Sequence, residues 1–265
     1  MHAMWISLKE SFNCGSKLTD VIISQRTSLR SCTGEKNLEG DRVHPKGRPM
    51  REVIFQKTYT RNLYHELDIS NSSRNVVKLI FQAAASHPSK HSRKIKKVLR
   101  VNNSEETLEK FEKYREMVKN KSYKQHKRHP RIIVDGNEIL QFYGTTMNCC
   151  RRKLSKVSEL CNDPACRVCR LIQSGFNTAY NRRNGIQLST SSEEFSEDKN
   201  TIAKEACVKK ATIVCRTIAG TVVNMFDGEY EEEYDSVGSG RNTKAEYLFV
   251  RDPSAVLPCF VIIFD

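Results

Sequence analysis

Three apolar runs late in the chain, Ala211 to Ile218, Glu246 to Val250 and Val256 to Phe264, constrain the fold more than any other feature. Each is short, rich in β-branched or aromatic residues and bounded by polar loops, which is the pattern of a strand. The intervening stretches Ser189 to Asn200 and Asp227 to Thr243 read as loops, as does Asn181 to Asn184 before them. The second half is therefore expected to be strand-rich.

The first half carries the helical signals. Val76, Val77, Ile80, Phe81 and Ala84 recur with a three-to-four-residue period behind Ser72 and Ser73, so an amphipathic helix capped by one of these serines is expected. Ser104 is a good N-cap, Glu105 and Glu106 oppose the dipole of the turn that follows, and Leu108, Phe111, Tyr114 and Val118 fall on one stripe. Ile95 to Val101 reads as a strand between these helices. Arg131 to Val134, followed by Asp135-Gly136, suggests a short strand closed by a turn, and Glu138 to Tyr143 continues extended. A helix from Cys166 through Ile172 should stop at Gly175, where the missing Cβ permits a left-handed cap. With 265 residues the chain can bury one good-sized core. Residues 1–50, poor in periodicity and rich in Ser, Thr, Gly, Arg and Lys, are expected to be a largely disordered extension, and 51–265 the domain.

A formal net charge of +13 favours polyanionic partners. Lys90 to Arg100 and Lys119 to Arg131 are both dense in basic residues, and in the second run Lys121, Lys124, Lys127, Arg128 and Arg131 are the candidate nucleic-acid contacts; the competing interpretation of each run is a solvated face. No apolar run approaches the roughly 20 residues of a membrane-spanning helix, and no secretory leader is evident, so an intracellular protein without a membrane partner is expected.

Ten cysteines in a reducing compartment point to metal before disulfides. Cys166 and Cys169 are spaced to present two thiolates to one ion, Cys161 is near enough to be a third ligand, and Cys149 or Cys150 would complete a tetrahedral zinc site. The alternative is that these are buried cysteines behaving as small hydrophobes. Cys207, Cys215 and Cys259 lie in apolar segments and read as core.

Five segments occur in a telling order. They are Arg93 to Asn102 ahead of the helix at Leu108 to Tyr114; Asn137 to Thr146, which contains Tyr143-Gly144-Thr145; Ile172-Gln173-Ser174-Gly175-Phe176; Gly185-Ile186-Gln187-Leu188; and Ala245-Glu246-Tyr247-Leu248-Phe249-Val250. Together they resemble the catalytic domain of PARP-like ADP-ribosyltransferases. Ser72 to Val77, Phe111 to Arg115, Asp135 to Glu138, Cys161 with Cys166-Arg167-Val168-Cys169, and Pro253 to Phe260 resemble more closely a plant zinc-finger-like family that carries a divergent form of that domain. The finger of paired cysteines and paired histidines is missing here. The resemblance implies an α+β PARP-like fold, with two packed, mostly antiparallel sheets and flanking helices, in a nuclear protein with nucleic-acid or protein partners.

It also implies a site. In such enzymes a His-Gly-Thr strand holds the nicotinamide ribose and amide, tyrosines stack on the ring, and a glutamate stabilises the oxocarbenium-like state. The matching positions are Tyr143 for the histidine, Gly144 and Thr145 for the rest of that motif, Gln187 for a stacking tyrosine, and Glu246 for the glutamate. A phenol donates at a different height from an imidazole. The later stacking tyrosine is also missing, its place falling in a polar loop with no aromatic closer than Phe195, and the loss of two rings is expected to weaken NAD binding by about a hundredfold. A catalytically weak or inactive module is the expectation, and an active mono-ADP-ribosyltransferase using Glu246 and Tyr143 the alternative.

Overall fold

The computed structural model describes residues 64–85, 93–124, 130–148, 161, 166–194, 209–226, 233–239 and 246–265. The expected extension 1–50 lies outside them. The described elements make a mixed α+β fold around one nine-stranded, mostly antiparallel sheet. In chain order they are β1 (Tyr64–Glu66), α1 (Ser72–Ala83), β2 (Ile95–Val101), α2 (Glu105–Lys124), α3 (Pro130–Asp135), β3 (Glu138–Met147), α4 (Arg167–Gln173), α5 (Ala179–Asn184), β4 (Ile186–Ser189), β5 (Lys209–Ile218), β6 (Val222–Asn224), β7 (Ser236–Ser239), β8 (Tyr247–Val250) and β9 (Val256–Phe264).

The sheet order is β1-β2-β9-β5-β3-β4-β8-β7-β6. All neighbours are antiparallel except β6 and β7. Instead of two separate sheets there is one, in five- and four-stranded halves that meet at the single register pair Phe142↔Ser189. The five-stranded body contains the long strands β3, β5 and β9, and every residue of β9 is buried. The four-stranded wing, β4-β8-β7-β6, is built from strands of three or four residues.

Residues directly opposite in a ladder share a face, so register assigns the layers. Leu99, Val261, Ile213 and Tyr143 form one cross-strand row, and Val98, Ile262, Thr212 and Gly144 the row on the other face. α1 and α2 cover the second face. Phe81 of α1 meets Phe264 at a ring distance of 5.1 Å, and α2 brings Arg115 to the buried Glu138 of β3. Glu138 is 1% exposed and also takes two bonds from Arg216 of β5, at 2.7 and 3.1 Å. Both guanidiniums sit over the Phe111 ring. One carboxylate thus locks α2, β3 and β5 together, its charge matched within the core.

Four local expectations change. The α1 cap is Asn71, whose side chain accepts from Ser73 N at 2.9 Å, so the helix begins at Ser72 instead of being capped by a serine. Arg131 to Val134 is helical: Pro130 presets the first turn, and Gly136 and Asn137, both at positive φ, close it with Gly136 N→Ile132 O and Asn137 N→Arg131 O. That cap, with Ile132 buried against α2, outweighs the strand preference of Ile-Ile-Val. The expected loop at Asn181 to Asn184 belongs to α5, which Thr178 caps through Asn181 N at 3.1 Å. Finally, β7 lies inside the stretch expected as loop, because its short segment gains stability from β8 beside it more than from its own sequence.

Candidate functional site

The three segments expected to form a nucleotide site are brought together at the seam between body and wing. β4 lies between β3 and β8, so Tyr143, Gln187 and Glu246 stand on three successive strands or at their ends. Their environments differ. Glu246 is exposed at the head of β8, its carbonyl accepting from Thr190 N at 3.1 Å and its own N–H bonded to Ser239 O at 2.8 Å. Gln187 is half-buried and opposite Phe249. Gly144 and Thr145 are buried in β3, opposite Thr212 and Ala211.

Tyr143 is the position that decides what the seam can do. It is 2% exposed and packs edge-on against Phe176, with ring centroids 5.3 Å apart and an interplanar angle of 75°. Burial pushes its phenol up to about 12, the neighbouring Tyr180 adding to this while Arg167 and Arg170 pull the other way. At neutral pH it is a proton donor and never a base. Phe176 is held with φ +64, a left-handed backbone that costs a bulky residue of the order of 1–2 kcal/mol. Gly175 before it takes the expected left-handed conformation at φ +55. Phe176 N bonds Leu171 O at 2.9 Å, and Asn181 Nδ2 donates to Phe176 O at 2.8 Å, so the ring is driven onto Tyr143 by the turn between α4 and α5. Beside this plug the oxygens Gln141 Oε1 and Thr145 Oγ1 are buried with no hydrogen-bond partner among the described residues.

A second cluster sits at the other end of α4. Cys166 is the N-cap residue of that helix and Cys169 lies in its first turn, both buried, with Cys161 half-buried beside them. The three sulfurs lie within 4.8 Å of one another, close enough to bind a metal ion. Tetrahedral thiolate coordination at about 2.3 Å spaces sulfurs about 3.8 Å apart, so only a small closure is required. Asn148 N–H points at Cys166 Sγ at 3.4 Å and the Tyr64 hydroxyl at Cys169 Sγ at 3.7 Å. Donors aimed at sulfur favour the thiolate form, whereas burial alone opposes it, so the arrangement suits sulfurs whose charge a cation balances. The expected further ligands Cys149 and Cys150, next in the chain after Asn148, lie outside the described residues. Nothing in the sequence assigned Tyr64 or Asn148 a part in the cysteine cluster, or Phe176 a part in burying Tyr143, because each acts through a contact far along the chain. Cys215 and Cys259 are core, as expected; Cys207 lies outside the described residues.

Of the candidate nucleic-acid contacts, Lys121 is drawn to Asp235 at 3.1 Å and Glu233 at 3.4 Å. Arg131 donates to the Glu138 carbonyl at 2.7 Å, with Asp135 at 4.0 Å. Lys124 is exposed at the end of α2, and Lys127 and Arg128 lie outside the described residues. Among the described residues no helix is long and apolar enough to cross a membrane. No protein-family model matches the sequence, and no curated protein matches it.

Proposed function

We propose that this chain is a degenerate PARP-like module, catalytically weak or inactive, which acts as a nuclear regulatory protein by binding nucleic acid or another protein. The observation that carries this reading is the plug: Tyr143 fills the position of the ribose-binding histidine and is buried against Phe176. A nicotinamide ring would have to displace two of the protein's own aromatic rings, and Gln187, the match for a stacking tyrosine, shares the face of Phe142 and not that of Tyr143. The adjacency of β3, β4 and β8, which carry the Tyr143, Gln187 and Glu246 segments, supports the PARP-like assignment behind it, while the single sheet departs from the two packed sheets that assignment implies.

Zinc is the metal proposed for Cys161, Cys166 and Cys169, since an all-sulfur donor set with two of its three ligands buried suits a closed structural site. The ion would fix the start of α4 against Tyr64 and the end of β3. Elemental analysis of purified protein is expected to give one zinc per chain, lost in Cys166→Ser.

The alternative, an active mono-ADP-ribosyltransferase, draws on the exposed Glu246 at the seam. Incubation with labelled NAD separates the two. No incorporation and no thermal shift are expected; labelling that disappears in Glu246→Gln would establish the enzyme.

A further inference from the structure

Residues 164–192 contain four arginines and no aspartate or glutamate. The structure places these four arginines on α4 and α5, on the face of the sheet that carries Tyr143. Tyr180, Arg182 and Arg183 are all exposed on α5, Tyr180 by 60%. Tyr180 and Arg183 are three residues apart on one helix and so share a side. Arg182 reaches Asn177 Oδ1 at 3.3 Å, and among the described residues neither Arg182 nor Arg183 meets a carboxylate.

The other basic stretches are different, and in and just before β2 Arg93, Lys96 and Lys97 each meet a carboxylate. On α2, Lys110, Lys113 and Lys119 are each paired with a glutamate of the same helix, and Lys121 with Asp235 and Glu233. A lysine already held by a carboxylate releases few counterions from a polyanion, so the α2 cations contribute less attraction than their number suggests.

We propose that the exposed surface of α5, with Tyr180 as a stacking platform, Arg183 on the same side and Arg182 on the helix's other flank as phosphate contacts, is a binding surface for single-stranded nucleic acid. The inference rests on the nucleic-acid reading above and gives that reading a location. An exposed tyrosine among arginines matches a strand with unstacked bases, each base offering a ring face between phosphates. A duplex hides those faces, and α5, with six residues, is too short to lie along a groove. A membrane surface would call for an apolar stripe, and on α5 Tyr180 is the sole large exposed hydrophobic residue. The platform is preorganised: Thr178 caps the helix and the buried Asn181 pins it to Phe176 O. Arg167 and Arg170, close enough to influence Tyr143 as Tyr180 does, extend the positive field toward α4.

The test is fluorescence anisotropy of a labelled oligouridylate with the full chain at several salt concentrations. Arg182→Ala combined with Arg183→Ala is expected to weaken binding about tenfold or more and to lower the log-log salt slope by roughly 1.4. Tyr180→Ala is expected to weaken binding about tenfold while Tyr180→Phe retains it, because stacking needs the ring and not the hydroxyl. All three side chains are exposed, so thermal midpoints should hold. Oligonucleotide binding that survives both the arginine pair and Tyr180→Ala, and falls instead in Lys124→Ala, overturns this surface and leaves the reading. Absence of oligonucleotide binding by the unaltered protein overturns both. Binding of phosphatidylserine vesicles alone, lost in the same variants, overturns the partner class.

Discussion

The body and the wing of the sheet use the same kind of hydrogen bonding to different ends. In the body, β9 is paired on both edges and covered on both faces, and a buried carboxylate shared by two arginines ties a helix to it. In the wing, strands of three or four residues hold one another, and Val222, Met225 and Phe226 at its outer edge remain exposed. The lesson is that stability and site are separated. The body supplies the cooperative core, while the residues resembling a nucleotide site lie along the seam where the ladder between β3 and β4 is reduced to one pair.

That contrast can be broken most decisively at Glu138. Glu138→Ala removes the buried carboxylate that Arg115 and Arg216 share, leaving Arg115 to Glu112 alone on α2, and denaturant unfolding should show a loss of about 3 to 5 kcal/mol. If the loss is small, the body is not organised around this carboxylate. Metal comes next. Zinc at a free concentration of about a hundred times its dissociation constant should stabilise the protein by about 2.7 kcal/mol, measured by thermal or denaturant unfolding with and without chelator. Cys166→Ser should abolish that difference.

Gly220 tests the joint from body to wing. It sits at φ +58 between β5 and β6, where a Cβ would run into the Asp235 carboxylate. That carboxylate also accepts from Thr221 N at 2.8 Å, so Gly220→Ala should cost about 1 to 3 kcal/mol and loosen β6 and β7 before the body, as read by amide exchange. Uniform loosening would show that the halves unfold as one.

The seam has a pH signature of its own. Because burial raises the Tyr143 phenol above its unfolded value, the unfolded chain ionises first as alkali is added. The associated stability is intact below pH 10 and is lost as the pH rises through about 12. Tyr114, raised by burial and then by Asp235 and Asp252, acts in the same direction. Tyr143→Phe should therefore shrink, without removing, the alkaline loss of stability. The smallest effect is expected at the wing's edge, where Val222→Lys should change stability by no more than about 0.5 kcal/mol.

What the sequence made legible follows the range of the forces involved. The stripe of α2, its Ser104 cap and the strands β5 and β9 depend on neighbours in the chain, and they form where expected. α3 was misread because Ile-Ile-Val favours a strand until Pro130, Gly136 and the packing of Ile132 are counted together. β7 escaped notice because its partners are spatial. At the site, the cysteine spacing was enough to bring Cys161, Cys166 and Cys169 to one place, whereas the plug at Tyr143 depends on a left-handed Phe176 that no local pattern announces.

The place of β9 also carries a consequence for how the molecule comes into being. It is the latest strand in chain order, yet it stands between β2 and β5. During synthesis β2 has emerged by Val101 and β5 by Ile218, but both must wait for Val256 to Phe264 before their missing edge is satisfied. At about 5 to 20 residues per second that leaves β2 unpaired on that side for several seconds or longer, a window in which the nascent chain needs shelter from its neighbours.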